Sequence, residues 1–145
     1  MITELTVDDL PKLIEGAHSF YAEGKLPGPF SPDRFIKGWA GLLESRIGLL
    51  LGFEKDGEIA GAIGGTIFPD MTTPKVHATE LFWYVKPEHR GAGIKLLLEF
   101  EKAARDRGAD RIWMIHLVEL NDGPLDKLYE RLGYRFVEKV FVKDL

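Results

Sequence analysis

The stretch VKPEHRGAGIKLLLEFEKAARDRGA, from Val85 to Ala109, constrains the fold more than any other part of the chain. An apolar and aromatic run, VHATELFWYVK, leads into it. Gly91 and Gly93 flank Ala92 at a corner with Arg90 at its lip, and a leucine- and charge-rich segment follows. The pattern predicts a strand, a glycine corner and a helix to about Arg107, with Gly108 as the residue that ends it. DRIWMIHLVE predicts the next strand. Strand, helix and strand in this order imply a parallel pair joined by a right-handed crossover. The corner itself admits two readings. One is a tight turn, since strand-to-helix connections use glycine routinely. The other is a cradle for phosphate. A helix N-terminus carries unpaired N–H donors and about half a positive charge, and a corner without side chains lets a diphosphate reach them. Arg90 adds a charge-assisted contact in that reading.

The rest of the chain fills in around this unit. ITELTV alternates as a half-buried strand does. DDLPKLIEGAHSFYAEG predicts a helix with Asp8 as N-cap, Pro11 in the first turn and an apolar stripe of Leu10, Leu13, Ile14 and Ala17. After the loop KLPGPF, Ser31 and Pro32 start a second helix with Phe35, Trp39, Leu42 and Leu43 on its buried side. IGLLLGFEK and EIAGAIGGTIF read as strands of a hairpin turned at Asp56-Gly57, because both turn residues tolerate positive φ. Gly61, Gly64 and Gly65 leave room for something to approach that backbone. LDKLYERLG predicts a short helix ended by Gly133, and YRFVEKVFVKDL one or two last strands. A hairpin beside a parallel pair makes the sheet mixed. With no internal repeat or linker, residues 1–145 read as one domain.

Composition narrows the chemistry. Hydrophobic residues make up 45% of the chain, enough for a sizeable core. The absence of cysteine removes disulfides, thiolate nucleophiles and Cys-based zinc sites, and no metal is expected. MITELTVDDL carries three acids and no Lys or Arg, unlike a secretory leader, and no apolar run reaches the ~20 residues of a membrane span. A soluble, cytoplasmic protein without a membrane partner is expected. A net charge of -4 weighs against nucleic acid as a partner.

V-x-P-E-H-R-G-x-G-I, followed by LLLEFEKAARDRGA, a strand and LYERLGY, resembles the GNAT superfamily of acyl-CoA-dependent N-acyltransferases. At the level of element order the resemblance covers the whole chain. It implies an α/β (α+β mixed) three-layer fold with a central mixed sheet of six to seven strands flanked by about four helices. It also implies acetyl-CoA, or coenzyme A, as cosubstrate, and a small-molecule or peptide amine as acceptor. The family's R-x-x-G-x-G/A pattern, which binds the coenzyme A diphosphate, falls on Arg90, Gly91, Ala92, Gly93, Ile94 and Lys95. Lys95 departs from the family's final small residue. Its ammonium is either an extra phosphate contact or a solvated helix residue. The preceding strand carries a bulge in the family and pairs with the pantetheine arm, which makes Trp83, Tyr84 and Val85 lining groups. Asn121 resembles an asparagine that contacts the cofactor, one residue further than usual from the tyrosine; the other reading is a helix cap.

Acyl transfer to an amine needs a neutral nucleophile, a polarised carbonyl and a protonated leaving thiolate. By its place in KLYERLGY, Tyr129 is the candidate acid; the alternative is a tyrosine that packs its helix on the sheet. Glu80, flanked by Leu81, Phe82 and Trp83, is the candidate base, its pKa raised by apolar surroundings. The alternative is an edge-facing or arginine-paired glutamate. His77 and His116 are weaker candidates, and His89 reads as exposed. Phe20, Tyr21, Phe30, Phe35 and Trp39 line either an acceptor pocket or the core. Two other functions compete with an N-acetyltransferase: a non-catalytic acyl-CoA-binding module, and a nucleic-acid base modifier on the same scaffold. The presence of Glu80 and Tyr129 favours catalysis over the first, and the acidic balance disfavours the second. A homodimer is left open.

Overall fold

The computed structural model describes residues 1–120 and 124–145. Among these, five strands form one sheet in sequential order: β1 (Ile2–Glu4), β2 (Gly48–Lys55), β3 (Glu58–Pro69), β4 (Val76–Val85) and β5 (Arg111–Trp113). The first three pairings are antiparallel and β4–β5 is parallel, so the sheet is mixed. Helices α1 (Ile14–Glu23) and α2 (Pro32–Glu44) cover one face; α3 (Gly93–Asp106) and α4 (Leu125–Arg131) belong to the cluster on the other. On the first face Leu10, Leu13, Phe20 and Trp39 meet Leu50, Phe82 and Tyr84. On the second, Leu96, Leu97 and Phe100 meet Leu49, Leu51, Ile63 and Val85. The alternation of strand side chains thus feeds two cores, giving three layers.

Local chemistry accounts for the element ends. Ser31 Oγ accepts from Arg34 N at 3.3 Å and caps α2, with Pro32 at its first position. Gly108 and Gly133 both take φ of +91°, which ends α3 and α4 as expected. Asp56 and Gly57 turn the hairpin with φ of 53° and 81°. The N-terminal helix differs from expectation. It is capped by Thr6, not Asp8, and the Asp9 carboxylate reaches back to accept from Thr6 N at 3.0 Å. Pro11 sits inside a 3-10 stretch, Val7–Leu13, and regular α-helix begins only at Ile14, past the missing proline N–H.

The expected six to seven strands are corrected to five among the described residues. Residues 135–145 form no strand, and Phe136, Val140 and Phe141 are exposed. The segment is rich in Val and Phe as a strand is, but β5 pairs with β4 only through His77, Ala78 and Thr79. A strand so short offers almost no edge for a further one.

The register of β3 on β4 shifts between Gly64 and Gly65: Gly64 faces Phe82, Gly65 faces Glu80, and Leu81 has no partner. This bulge inverts the pleat. Ala78 lies in the core beneath α3, whereas Phe82 and Tyr84, which share its parity, lie in the core beneath α1 and α2. Gly65 makes the bulge feasible, since a Cβ there would stand 2.1 Å from the Thr79 carbonyl oxygen. The neighbouring glycines admit protein rather than ligand: a Cβ on Gly64 would strike Trp39 and Leu50, and one on Gly61 would strike Val85. Gly65→Ala is therefore expected to cost about 3 kcal/mol or more in a denaturant titration, because backbone has to move to relieve the clash. A loss below about 1 kcal/mol would show that the bulge relaxes freely.

Candidate active site

Strands β4 and β5 part company after Thr79 and Trp113. A side chain stands at this parting. Ile115 N donates to Glu80 Oε2 at 3.1 Å, so a carboxylate takes the amide that a continuing strand would give to backbone. Beyond this point β4 has ladder partners, among the described residues, only on its β3 side. Leu81 and Ile115, next to the parting, leave large apolar surfaces exposed.

Two predicted chemical groups meet at one peptide. Glu80 accepts from Ile115 N, and the Tyr129 hydroxyl donates to Ile115 O at 3.0 Å. Glu80 is 4% exposed, the one buried charged side chain among the described residues. Burial pushes its carboxyl up to about 7, against the opposing pull of the Ile115 N–H. No arginine or lysine pairs with it among the described ion pairs. Burial, and then the nearby Glu80 and Asp126 charges, push the Tyr129 phenol well above its ordinary range, so it is protonated at neutral pH. Its ring packs between Trp83 and Tyr134, with centroids 6.3 and 5.3 Å away. Packing and hydrogen bonding thus fix the same side chain. The Ile115 peptide that links the two groups carries no sequence signal, because it acts through its backbone.

The glycine corner is a 3-10 turn, Pro87–Ala92, that runs directly into α3. Among the described residues no side chain caps α3, and no acid lies in its first turn. Gly91 has an ordinary backbone, and a Cβ there would meet nothing within 4 Å. A Cβ on Gly93 would only touch Trp83 at 3.6 Å. The fold therefore has no steric need for either glycine, in contrast to Gly65. Absent side chains at a helix start and a nearby guanidinium fit an anionic phosphate group, although the Gly93 N–H already donates to Arg90 O within the turn. Arg90 sits beside the corner, its Nε donating to Val85 O at 3.4 Å. Ile94 and Lys95 are exposed at the helix start.

The other predicted residues fall as follows. Tyr84 and Val85 are buried on opposite sides of the sheet, so they face the opening with backbone rather than side chains. Asn121 lies outside the described residues. His77 Nδ1 accepts from Trp113 Nε1 at 3.1 Å. His89 is half-buried rather than exposed, with its ring 6.3 Å from that of Phe53. His116 Nδ1 lies 2.6 Å from Asp126 Oδ1. Phe20 and Trp39 are core residues, while Tyr21, Phe30 and Phe35 are partly buried against the same cluster. Glu23, which the sequence does not mark, reaches Arg90 across 67 residues of chain. Among the described residues no group of His, Asp and Glu side chains could hold a metal ion, and no helix is long and apolar enough to cross a membrane.

The family profile described as "Acetyltransferase (GNAT) family" matches residues 11–134. The chain belongs to this family of acetyltransferases. No curated protein matches it. Solved structures share its fold. A ribosomal-protein-alanine N-acetyltransferase from Brucella melitensis biovar Abortus 2308 superposes with a TM-score of 0.73 at 21% identity, covering 100% of this chain and 98% of that one. A transcriptional regulator from Bacillus halodurans C-125 superposes with a TM-score of 0.78 at 18% identity, covering 100% and 99%. An aminoglycoside acetyltransferase from an uncultured soil metagenomic sample, in complex with sisomicin, gives 0.70 at 18% identity, covering 100% and 93%.

Proposed function

We propose that the chain transfers an acetyl group from acetyl-CoA to a primary amine of a small molecule or peptide by direct attack. The observation that carries this reading is the convergence of Glu80 and Tyr129 on the Ile115 peptide, at the point where β4 and β5 separate. Acetyl-CoA supplies the acetyl group as an activated thioester. The chain's residues supply the rest. The uncapped start of α3 with Gly91, Ala92 and Gly93 receives the diphosphate, with Arg90 and the exposed Lys95 adjoining. The free side of β4 near Trp83 and Val85 offers backbone groups to the pantetheine arm. Glu80, with a pKa near 7, removes the proton from the amine, directly or through water. Tyr129, protonated at neutral pH, turns its hydroxyl from Ile115 O to the departing sulfur.

The test separates fold from binding. A side chain at Gly91 meets open space, so Gly91→Glu is expected to melt with the wild type. Its carboxylate repels a diphosphate, and calorimetry is expected to show coenzyme A affinity lower by about a hundredfold, the scale of lost charge-assisted hydrogen bonds. Equal affinity in the two proteins would remove the corner from the cofactor site. Thiol release from acetyl-CoA across a panel of amines then reads the acceptor, and no release with any amine would favour a binding module.

A further inference from the structure

We infer that Glu23 sets the affinity of the glycine corner for coenzyme A by competing with the diphosphate for Arg90, an inference that rests on the cofactor reading of that corner. Arg90 Nη2 donates to Glu23 Oε2 at 2.9 Å, and the Tyr84 hydroxyl donates to Glu23 Oε1 at 3.3 Å. Both carboxylate oxygens are thus engaged, and the arginine charge nearest the corner is already neutralised within the protein.

Helix energetics offer no reason for this glutamate. Glu23 is the last residue of α1, whose final turn contains no basic residue. A carboxylate is disfavoured at the negative end of a helix dipole. Its compensation comes from Arg90 and Tyr84, both in or just after β4, on the side of the molecule where the corner lies.

Two effects of Glu23 on a bound diphosphate have opposite signs. It orients the guanidinium, which favours binding, and it cancels the charge, which opposes binding. Orientation has a second source, since Nε also donates to Val85 O. Among the described ion pairs charge cancellation has no second source, and a diphosphate brings more than one negative charge against the same carboxylate. The charge effect therefore dominates. Glutamine keeps an acceptor for Arg90 and removes only the charge, so it isolates that effect.

The experiment titrates coenzyme A, and separately pantetheine, which lacks the diphosphate, into the wild type and Glu23→Gln. The variant is expected to bind coenzyme A about fivefold more tightly at low salt, the scale of one partly exposed charge interaction. The gain is expected to shrink at about 0.5 M salt, where such charges are screened. Pantetheine binding is expected to be the same in both proteins. Glu23→Gln binding coenzyme A equally or more weakly than the wild type overturns the inference, as does an equal gain for pantetheine. A wild type that binds no coenzyme A overturns the reading of the corner, and this inference with it.

Discussion

Glu80→Gln is expected to lower turnover by about 10² to 10³-fold, the range of a lost general base, while making the protein more stable at about pH 8. Both effects come from one buried carboxyl. In wild type, turnover is expected to rise through pH 7 as Glu80 loses its proton, because burial raises its pKa to about 7. In the glutamine variant that limb of the profile disappears. The stability effect has a definite sign. The unfolded chain releases this proton near the ordinary value of 4.5, and the folded chain holds it to about 7. Below 4.5 both states are protonated and the group costs nothing. Between 4.5 and 7 the unfolded chain gives up the proton while the folded chain keeps it, so stability falls across this window and about 3 kcal/mol has been lost relative to acid conditions once pH exceeds 7. Glutamine still accepts from Ile115 N and carries no charge. Melting curves of the two proteins are therefore expected to lie together near pH 4.5 and to separate by about pH 8, the variant melting higher. A separation that does not depend on pH would show that Glu80 remains ionised throughout.

Tyr129→Phe is expected to lower kcat by about 10²-fold, the scale of one general acid, with little change in KM for acetyl-CoA. The variant keeps the ring between Trp83 and Tyr134. It loses the hydrogen bond to Ile115 O, which is expected to cost about 1 kcal/mol on unfolding. The two losses are separable, since stability is read by denaturant and kcat by thiol release well below the melting point. An unchanged kcat with the stability loss alone would leave Tyr129 as a clamp on the Ile115 peptide.

The elements with local signatures were legible in the sequence. Ser31 caps its helix, Gly108 and Gly133 end theirs, Asp56-Gly57 turns the hairpin, and Val76–Val85 forms a strand before the glycine corner. Each depends on the conformational preference of a residue or two. Features that depend on a distant partner were less so. DRIWMIHLVE has the composition of a long strand, yet the ladder stops at Trp113, where a side chain from β4 rather than its backbone takes the Ile115 amide. The terminal run has the Val and Phe content of a strand but almost no edge to join. The family resemblance implies a bulge in β4, but its place at Leu81 follows from Gly65 across the ladder. Glu80 and Tyr129 were visible as residue types in suggestive settings; that they share one peptide follows only from the fold. The bond from Glu23 to Arg90 has no local signature at all.

Leu81 has no partner across the ladder, and 46% of its surface is open. Its identity matters little to the cores, but its presence advances the rest of the strand by one position. Glu80 comes before that step, and Phe82, Trp83, Tyr84 and Val85 come after it. The alignment of the carboxylate with Trp83, which packs on Tyr129, is therefore encoded as a count of residues rather than as a kind of residue. A strand specified this way accepts many substitutions at position 81, but its deletion would reverse the facing of every side chain from 82 onward.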